Sequence, residues 1–292
     1  MRVFVTGATG VLGRRVVPAL IADGHEVVAV ARDSAKAQEL EAAGAQPAVL
    51  SDIFDVEQVR QAAGGCGAYL NLATCIPPLE VAWKASAWRD NDRIRTEGSA
   101  VAAQVAKDLG MEVLVQESIV MNYPDCGDEW ITEEQTIKTT LRTASAATAE
   151  ETALRAQSQD LRTVVLRFGL FGSADGSHAI STMKNAAKGF AMLSGRQDGF
   201  ISGVRVEDAA AAVVAALAVP SGIYNVTGND PLRRSEIAAQ LAQAVGRKKL
   251  RVVPGRAALL LGDKRVGAIA RSQRVSNAKF KAASGWSPSD SK

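Results

Sequence analysis

The chain has 292 residues, of which 47% are hydrophobic and 22% are charged, and such a chain can bury a sizeable core. A formal net charge of +3, with one short basic run at 246–256, argues against a nucleic-acid partner. No run approaches about 18 consecutive apolar residues, so we expect no membrane-spanning helix.

The cysteines point to a reducing environment. Cys66, Cys75 and Cys126 lack the spacing of metal ligands, so we predict free thiols and no metal site. The chain opens on a strand-like segment with no apolar leader, which predicts a cytoplasmic protein.

Short β-like runs alternate with helical stretches through the first half of the chain. The β-like runs are residues 1–6, 25–31, 47–50, 68–73, 111–116 and 162–168. Apolar positions at helical spacing predict helices at 11–22 and 91–109, among others. Because parallel strands need crossover connections, this alternation predicts an α/β fold with a Rossmann-type, doubly wound parallel sheet.

The second half is less regular and predicts a smaller portion packed on that sheet. It contains helical patterns at 206–218 and 235–245 and a β-like run at 223–228. Ser235 is the expected N-cap of the second helix. We predict a dinucleotide-binding core in residues 1–170 and a mixed α/β, substrate-binding segment in residues 171–292, with one strand returning near 223–228.

A glycine-rich loop, TGATGVLG at 6–13, follows the first strand and opens a helix. Gly7 allows the tight turn, Gly10 lets the backbone approach a pyrophosphate, and Gly13 lets the helix pack close to the sheet. The helix amino end offers N–H groups and a positive dipole to the phosphates. The predicted cofactor-binding residues of this loop are Gly7, Thr9, Gly10, Val11, Leu12 and Gly13.

The end of the second strand favours NADP over NAD as the cofactor. An NAD site usually places an acidic residue here to hold the ribose 2′-hydroxyl, but Ala31 occupies that position and Arg32 follows. A guanidinium can bind a 2′-phosphate through two hydrogen bonds. Asp33 is better placed to cap the next helix, so we expect NADP, with NAD as the alternative.

The glycine spacing and several later segments resemble the extended short-chain dehydrogenase/reductase family, also called NAD-dependent epimerase/dehydratases. The similar segments are NLAT at 71–74, LRFGLFG at 166–172, YNVTG at 224–228 and RVSNAKFKAASGWSP at 274–288. The resemblance implies cofactor contacts from Asp52 and Ile53 beside the adenine and from Leu72, Ala73 and Thr74 after the fourth strand. Arg167 either lies near the cofactor or has a structural role.

The family's usual proton relay is missing from the chain. Its members normally use a serine or threonine with a tyrosine and a lysine in YxxxK spacing, and the tyrosine exchanges a proton with a substrate oxygen. Ser118 matches the serine position. The YxxxK pair should fall within residues 142–147, where this chain reads RTASAA.

Other residues could supply the proton. Tyr123 follows the fifth strand and His178 follows the sixth, so both are expected at the sheet edge that carries the site. Ser118 and a bound water are further candidates. Residues 74–88, which are rich in proline and tryptophan, form either a flap over a partly apolar ligand or ordinary packing.

Two classes of function follow from these observations. The first is an NADP-dependent oxidoreductase of the extended short-chain type, which acts on a small organic substrate through an atypical proton relay; an NAD(P)-dependent epimerase or dehydratase is a variant of this class. The second is a non-catalytic NAD(P)-binding sensor or partner-binding protein, because cofactor motifs persist without the relay. A monomer and a homodimer both remain open.

Overall fold

The computed structural model describes residues 1–78, 80–82, 84–172, 177–191, 193–252 and 267–289, with the side chains of residues 177 and 178 outside that description. In chain order the strands are β1 (Arg2–Thr6), β2 (Glu26–Ala31), β3 (Gln46–Val49), β4 (Ala68–Asn71), β5 (Val113–Ile119), β6 (Trp130–Ile131), β7 (Arg162–Phe168), β8 (Leu170–Gly172), β9 (Phe190–Ala191), β10 (Phe200–Ile201), β11 (Gly203–Arg205), β12 (Gly222–Val226), β13 (Leu232–Arg233), β14 (Arg251–Val252) and β15 (Arg274–Val275). The helices are α1 (Gly13–Ala22), α2 (Ser34–Ala42), α3 (Val56–Ala62), α4 (Arg89–Arg93), α5 (Ser99–Asp108), α6 (Ala144–Ala156), α7 (Ser177–Ala187), α8 (Val206–Ala216), α9 (Arg234–Ala244) and α10 (Ala278–Ser284).

Seven of these strands form one parallel sheet in the order β12-β7-β5-β4-β1-β2-β3. This is the Rossmann-type sheet that the alternating pattern predicts. The strand order reverses between β1 and β4, and ligands of such sheets bind beyond the carboxyl ends of the strands at that point. The glycine loop follows β1 and therefore lies at that place.

Helices cover both faces of the sheet, which explains why its strands are continuous apolar runs. On one face, Val16 and Leu20 of α1 pack in the same core cluster as Val213 of α8. On the other face, Val105 of α5 and Ala153 of α6 belong to a second cluster. Both clusters also take side chains from the strands, so the sheet is buried between two apolar layers.

The second half of the chain contributes one strand to the sheet and several short strand pairs. Strand β12 pairs in parallel with β7 at the sheet edge. The short pairs are β8 with β11, β9 with β14, β10 with β13 and β6 with β15. A small separate cluster, which includes Ala186, Ala238 and Leu250, packs α7 against α9.

The single helix expected at 91–109 is interrupted. A π-helical turn at Ile94–Gly98 separates α4 from α5. Arg95 lies in this turn, is 2% exposed, and donates a 2.7 Å hydrogen bond to the Glu117 carboxylate on β5. The apolar spacing predicts the helix but not the turn, because the turn accompanies a long-range ion pair.

The predicted cap at Ser235 is wrong. Helix α9 begins one residue earlier, at Arg234, and the amide N–H of Arg233 donates to the Glu236 carboxylate at 2.6 Å. The next two amide groups, of Arg234 and Ser235, donate to backbone carbonyls of the neighbouring loop. The loop therefore satisfies the helix end that a serine hydroxyl would otherwise cap.

The approach of α1 to the β1 turn leaves no room for a side chain at Gly13. A Cβ there would lie 2.2 Å from the Gly7 carbonyl oxygen and 2.6 Å from backbone atoms of Ala8. We expect Gly13→Ala to destabilise the fold by about 2 kcal/mol or more, measured by chemical denaturation, because backbone atoms cannot move aside. Gly67→Ala is the control, since the nearest atom to its Cβ is the end of the Glu112 side chain at 3.8 Å. Equal stability of the two variants would contradict this packing.

Candidate active site

The glycine loop is shaped by close backbone contacts. Gly7 has a φ of 76°, and a Cβ there would lie 2.5 Å from the backbone of Leu72. The Gly10 amide donates to the Gly7 carbonyl at 3.0 Å, which closes the turn before α1. The first turn of α1 holds no acidic residue. The helix end therefore offers its positive dipole to an anion, and the glycine positions of the loop let a pyrophosphate approach the backbone.

Arg32 lies exposed directly after β2. Asp33 caps α2 by accepting a 2.8 Å hydrogen bond from the Lys36 amide, and Lys36 pairs with Glu39 at 2.7 Å. Within the described parts of the chain, no carboxylate pairs with Arg32. Arg32 therefore places a cation at the end of β2. In dinucleotide-binding folds, the residue at this position usually distinguishes NAD from NADP.

The other predicted cofactor residues follow neighbouring strands. The exposed Asp52 follows β3, and its carboxylate accepts a 2.9 Å hydrogen bond from the amide of Phe54. The half-buried Ile53 lies next to it. After β4, Leu72 is buried, Ala73 half-buried and Thr74 exposed. These residues and the glycine loop follow parallel strands and so share one edge of the sheet.

A ladder of buried polar side chains crosses three strands close to this edge. Thr6 on β1 donates to the Asn71 side chain on β4 at 2.8 Å. The Asn71 amide in turn donates to the Gln116 side chain on β5 at 2.8 Å. These residues are register partners across the two strand pairs. Sequence analysis missed this ladder, although its signal is one polar residue near the end of each apolar strand.

A second buried network surrounds Ser118. The Ser118 hydroxyl has no exposed surface and donates to the Glu150 carboxylate on α6 at 2.5 Å. Arg167 on β7 makes two hydrogen bonds to the same carboxylate, at 2.9 and 2.6 Å. Burial lowers the pKa of Arg167, but hydrogen bonding to Glu150 and the charge of Glu150 outweigh it and raise that pKa overall. Arg167 is therefore half of a buried ion pair; its cofactor contact stays a prediction.

Tyr123 belongs to the same network. Its fully buried hydroxyl donates to the Asn225 side chain on β12 at 2.9 Å and accepts from Arg167 at 2.8 Å. Burial raises the pKa of Tyr123, and the nearby Arg167 opposes this only in part. In this arrangement the Ser118 and Tyr123 hydroxyls are engaged inside the protein, and their catalytic roles stay predictions.

The segment expected to hold the tyrosine–lysine pair lies at the start of α6. Thr143 directly precedes the helix, and its hydroxyl oxygen accepts a 2.9 Å hydrogen bond from the Thr140 amide. Arg142 is buried, with its guanidinium 5.2 Å from the centre of the Trp88 ring. The tyrosine position falls on Arg142 or Thr143, which offer a guanidinium or an alcohol in place of a phenol.

The segment after β4 is linked to helix α7 by a hydrogen bond. The Ser181 hydroxyl on α7 donates to Glu80 at 2.7 Å, which joins the two. Residue 83, in the predicted flap, lies outside the described residues. His178 lies in the first turn of α7, and its side chain is also outside the description. Exposed apolar side chains in these two elements and in β8 are Ile76, Leu170, Phe171, Ile180 and Met183.

The described residues hold neither a metal-binding cluster nor a membrane-spanning helix. They contain no group of three or more His, Cys, Asp or Glu side chains able to hold a metal ion. None of their helices is long and apolar enough to cross a membrane. Residues 253–256 of the basic run lie outside this part of the chain.

Replacing Glu150 by glutamine should destabilise the fold by about 3 kcal/mol or more, because Arg167 would keep its charge without its buried partner. The matched control is the next residue: Glu151 pairs with Arg155 on the surface, and its side chain is 59% exposed. Glu151→Gln should change stability by less than about 1 kcal/mol. Chemical denaturation of both variants measures the difference, and similar losses would show that the buried pair contributes no more than the surface one.

Comparison with known proteins gives a consistent family. The model of the NAD(P)H-binding family matches residues 7–220. The 3-diazoavenalumate denitrifying reductase of Streptomyces sp is 29% identical over 99% of this chain and 96% of its own length. The 2-alkyl-3-oxoalkanoate reductase of Shewanella oneidensis is 30% identical, over 73% of this chain and 56% of the relative.

Solved structures agree with the fold. The human epimerase family protein SDR39U1, solved with NADPH, superposes with a TM-score of 0.81 at 22% identity and covers 99% of this chain and 95% of the other. The UDP-glucose 4-epimerase of Thermus thermophilus, solved with NAD, gives 0.77 at 24% identity, covering 100% and 95%. Because the family model spans most of the chain, the protein belongs to the NAD(P)H-binding family, and it shares its fold with these epimerase-type structures.

Proposed function

We propose that the protein is an NADP-dependent reductase that acts on a small, partly apolar organic substrate. The observation that carries the cofactor preference is Arg32, an exposed cation at the end of β2 where NAD sites usually hold an acid. Relatives named as reductases support the reaction class. When bound, the dinucleotide supplies a hydride.

The residues at the sheet edge have separate roles in this proposal. The backbone around Gly7 and Gly10 and the amino end of α1 hold the pyrophosphate. Arg32 binds the ribose 2′-phosphate. Asp52, Ile53 and the segment 72–74 border the rest of the dinucleotide.

The proton for a carbonyl reduction has to come from outside the Ser118 network. The Ser118 hydroxyl already donates to Glu150, and the Tyr123 hydroxyl donates to Asn225. We assign the proton to His178 or to a bound water, because histidine titrates near neutral pH. The exposed apolar side chains near α7 support a partly apolar substrate.

A second candidate reaction needs no proton from the protein. The Streptomyces relative is, by its name, a reductase that removes the nitrogen of a diazo compound. The match covers 99% of the present chain and 96% of the relative. When the carbon of an aryl diazonium ion receives a hydride, a C–H bond forms and the C–N bond breaks. Dinitrogen leaves with the electron pair of that bond, so charge and atoms balance without an acid. The missing tyrosine and lysine favour this possibility.

Arg32→Ala tests the cofactor assignment. We expect the variant to bind NADPH roughly tenfold or more weakly, a loss of about 1.5–3 kcal/mol, because one charge-assisted contact is removed. NADH affinity should stay unchanged. Calorimetric titrations of both dinucleotides measure this, and Arg60→Ala, an exposed arginine on α3, is the control. Equal losses for NADPH and NADH, or no binding of either to the wild type, would contradict the proposal.

His178→Gln separates the two candidate reactions. With ketones as substrates, loss of the proton donor should lower kcat by roughly 10²-fold or more. With benzenediazonium as substrate, kcat should not change, because no proton is required. NADPH oxidation followed at 340 nm measures both. An equal loss on both substrates would contradict a proton-donor role for His178, and an unchanged kcat on ketones would assign the proton to water.

A further inference from the structure

A small cavity of about 20 Å³ lies between the turn after β5, strands β8 and β10, the first residue of α9 and residues 268–273. This volume admits about one water molecule or one oxygen atom of a larger ligand. Val120 and Leu170 line it, and they follow the sheet strands β5 and β7. The cavity therefore lies at the same sheet edge as the glycine loop.

Arg234 lines this cavity, and part of its guanidinium has no hydrogen-bond partner. Its side chain is 1% exposed, and Nη2 donates to the carbonyls of Ile269 and Arg271 at 2.7 and 2.8 Å. Its Nε and Nη1 atoms have no acceptor in the described structure. Buried polar groups of proteins almost always have a partner, so the unpartnered donors of a cavity-lining arginine leave a place for an acceptor atom from outside the chain.

The surrounding backbone is built to hold the guanidinium in place. A Cβ on Gly195 would lie 2.9 Å from the Cζ atom of Arg234, and one on Gly199 would lie 2.6 Å from its Nη1. Only glycine at both positions lets the loop lie this close to the guanidinium. The side chain is therefore held in one orientation, as a binding residue requires.

The charge in the cavity wall is not neutralised. Arg271 also lines the cavity, and its Nη1 donates to the carbonyls of Tyr123 and Lys138 at 2.8 and 2.7 Å. Among the described lining residues there is no carboxylate. Burial lowers the pKa of both arginines, and the charge of Asp125 opposes this without forming an ion pair in the described structure. The buried Arg234 cation, with the half-buried Arg271 beside it and no counter-charge in the wall, is unfavourable until an anion binds.

We propose that this cavity binds the carboxylate of the substrate, which makes the substrate an organic acid with an apolar body. The cavity admits one oxygen atom, so a carboxylate would place one of its two oxygens inside. Leu170 and Ile269 are 41% and 40% exposed and place apolar surface beside the cation. The identification of the anion as substrate rests on the proposed function, whereas the anion site itself does not.

Benzoate and its neutral isostere benzamide test the site by binding alone. At constant ionic strength and pH 7, benzoate should raise the Tm of the wild-type protein and benzamide should not. Arg234→Met should lose at least tenfold in benzoate affinity, measured by calorimetry. Its own stability should be retained or increased, because methionine removes an unpaired buried charge at similar volume. Arg251→Met, an exposed arginine outside the cavity, is the matched control and should keep the response.

Arg234→Lys covers the case in which the methionine variant does not fold. It keeps the charge on a smaller head group, so it should keep the benzoate response with reduced affinity. A benzoate response that is equal in wild type and in the folded Arg234 variants would overturn the proposal, and so would the absence of any response in wild type.

NADPH titrations on the same samples keep this inference separate from the proposed function. The Kd for NADPH should be equal in the wild type and in Arg234→Met. If no sample binds NADPH, the proposed function fails, while the benzoate comparison still decides the anion site. If NADPH binds normally and benzoate does not discriminate between the variants, the anion site fails and the proposed function stands.

Discussion

The buried carboxylate of Glu150 holds helix α6 against two neighbouring strands of the sheet. It accepts hydrogen bonds from Ser118 on β5 and Arg167 on β7. Through Arg167 and Tyr123 the connections reach Asn225 on β12, the last strand of the sheet. A buried charge is tolerated only with a well-placed counter-charge, so these elements depend on one another for their positions.

This network also engages the hydroxyl groups of Ser118 and Tyr123, two candidate proton donors. In the family that the sequence resembles, a serine or threonine and a tyrosine–lysine pair normally carry protons to the substrate. Here the hydroxyls of Ser118 and Tyr123 serve internal hydrogen bonds, and the helix begins without a tyrosine or a lysine. In the proposed function, chemistry at this edge therefore depends on the dinucleotide, on solvent or His178, and on the cations around it. A reaction that requires no acid suits such a site.

The parts of the fold that were predictable depend on local periodicity. The glycine loop, the strand–helix alternation and the cap at Asp33 each rest on residues close together in the chain, and each occurs in the structure. The interrupted helix at Ile94–Gly98 and the start of α9 were not predictable, because their causes lie far away in sequence. Glu117 on β5 pairs with Arg95 in the π-helical turn. The first amide groups of α9 donate to backbone carbonyls of the loop that contains Gln197 and Gly199.

By itself, the sequence determined the sheet class and the nicotinamide dinucleotide as cofactor type, because the strand–helix alternation and the glycine loop are local patterns; the missing tyrosine–lysine pair is a prediction from the same kind of local reading. Only the tertiary structure decided which polar side chains are engaged and which are left without partners. Ser118 and Glu150 are 32 residues apart, and Tyr123 and Asn225 are 102 residues apart. The same holds for Arg234, whose unused donors become evident only once backbone from residues 195–199 and 268–273 has closed around it. Burial is a property of the packed chain. The free-energy cost of leaving a buried charge unpaired therefore depends on the tertiary structure and not on the local sequence.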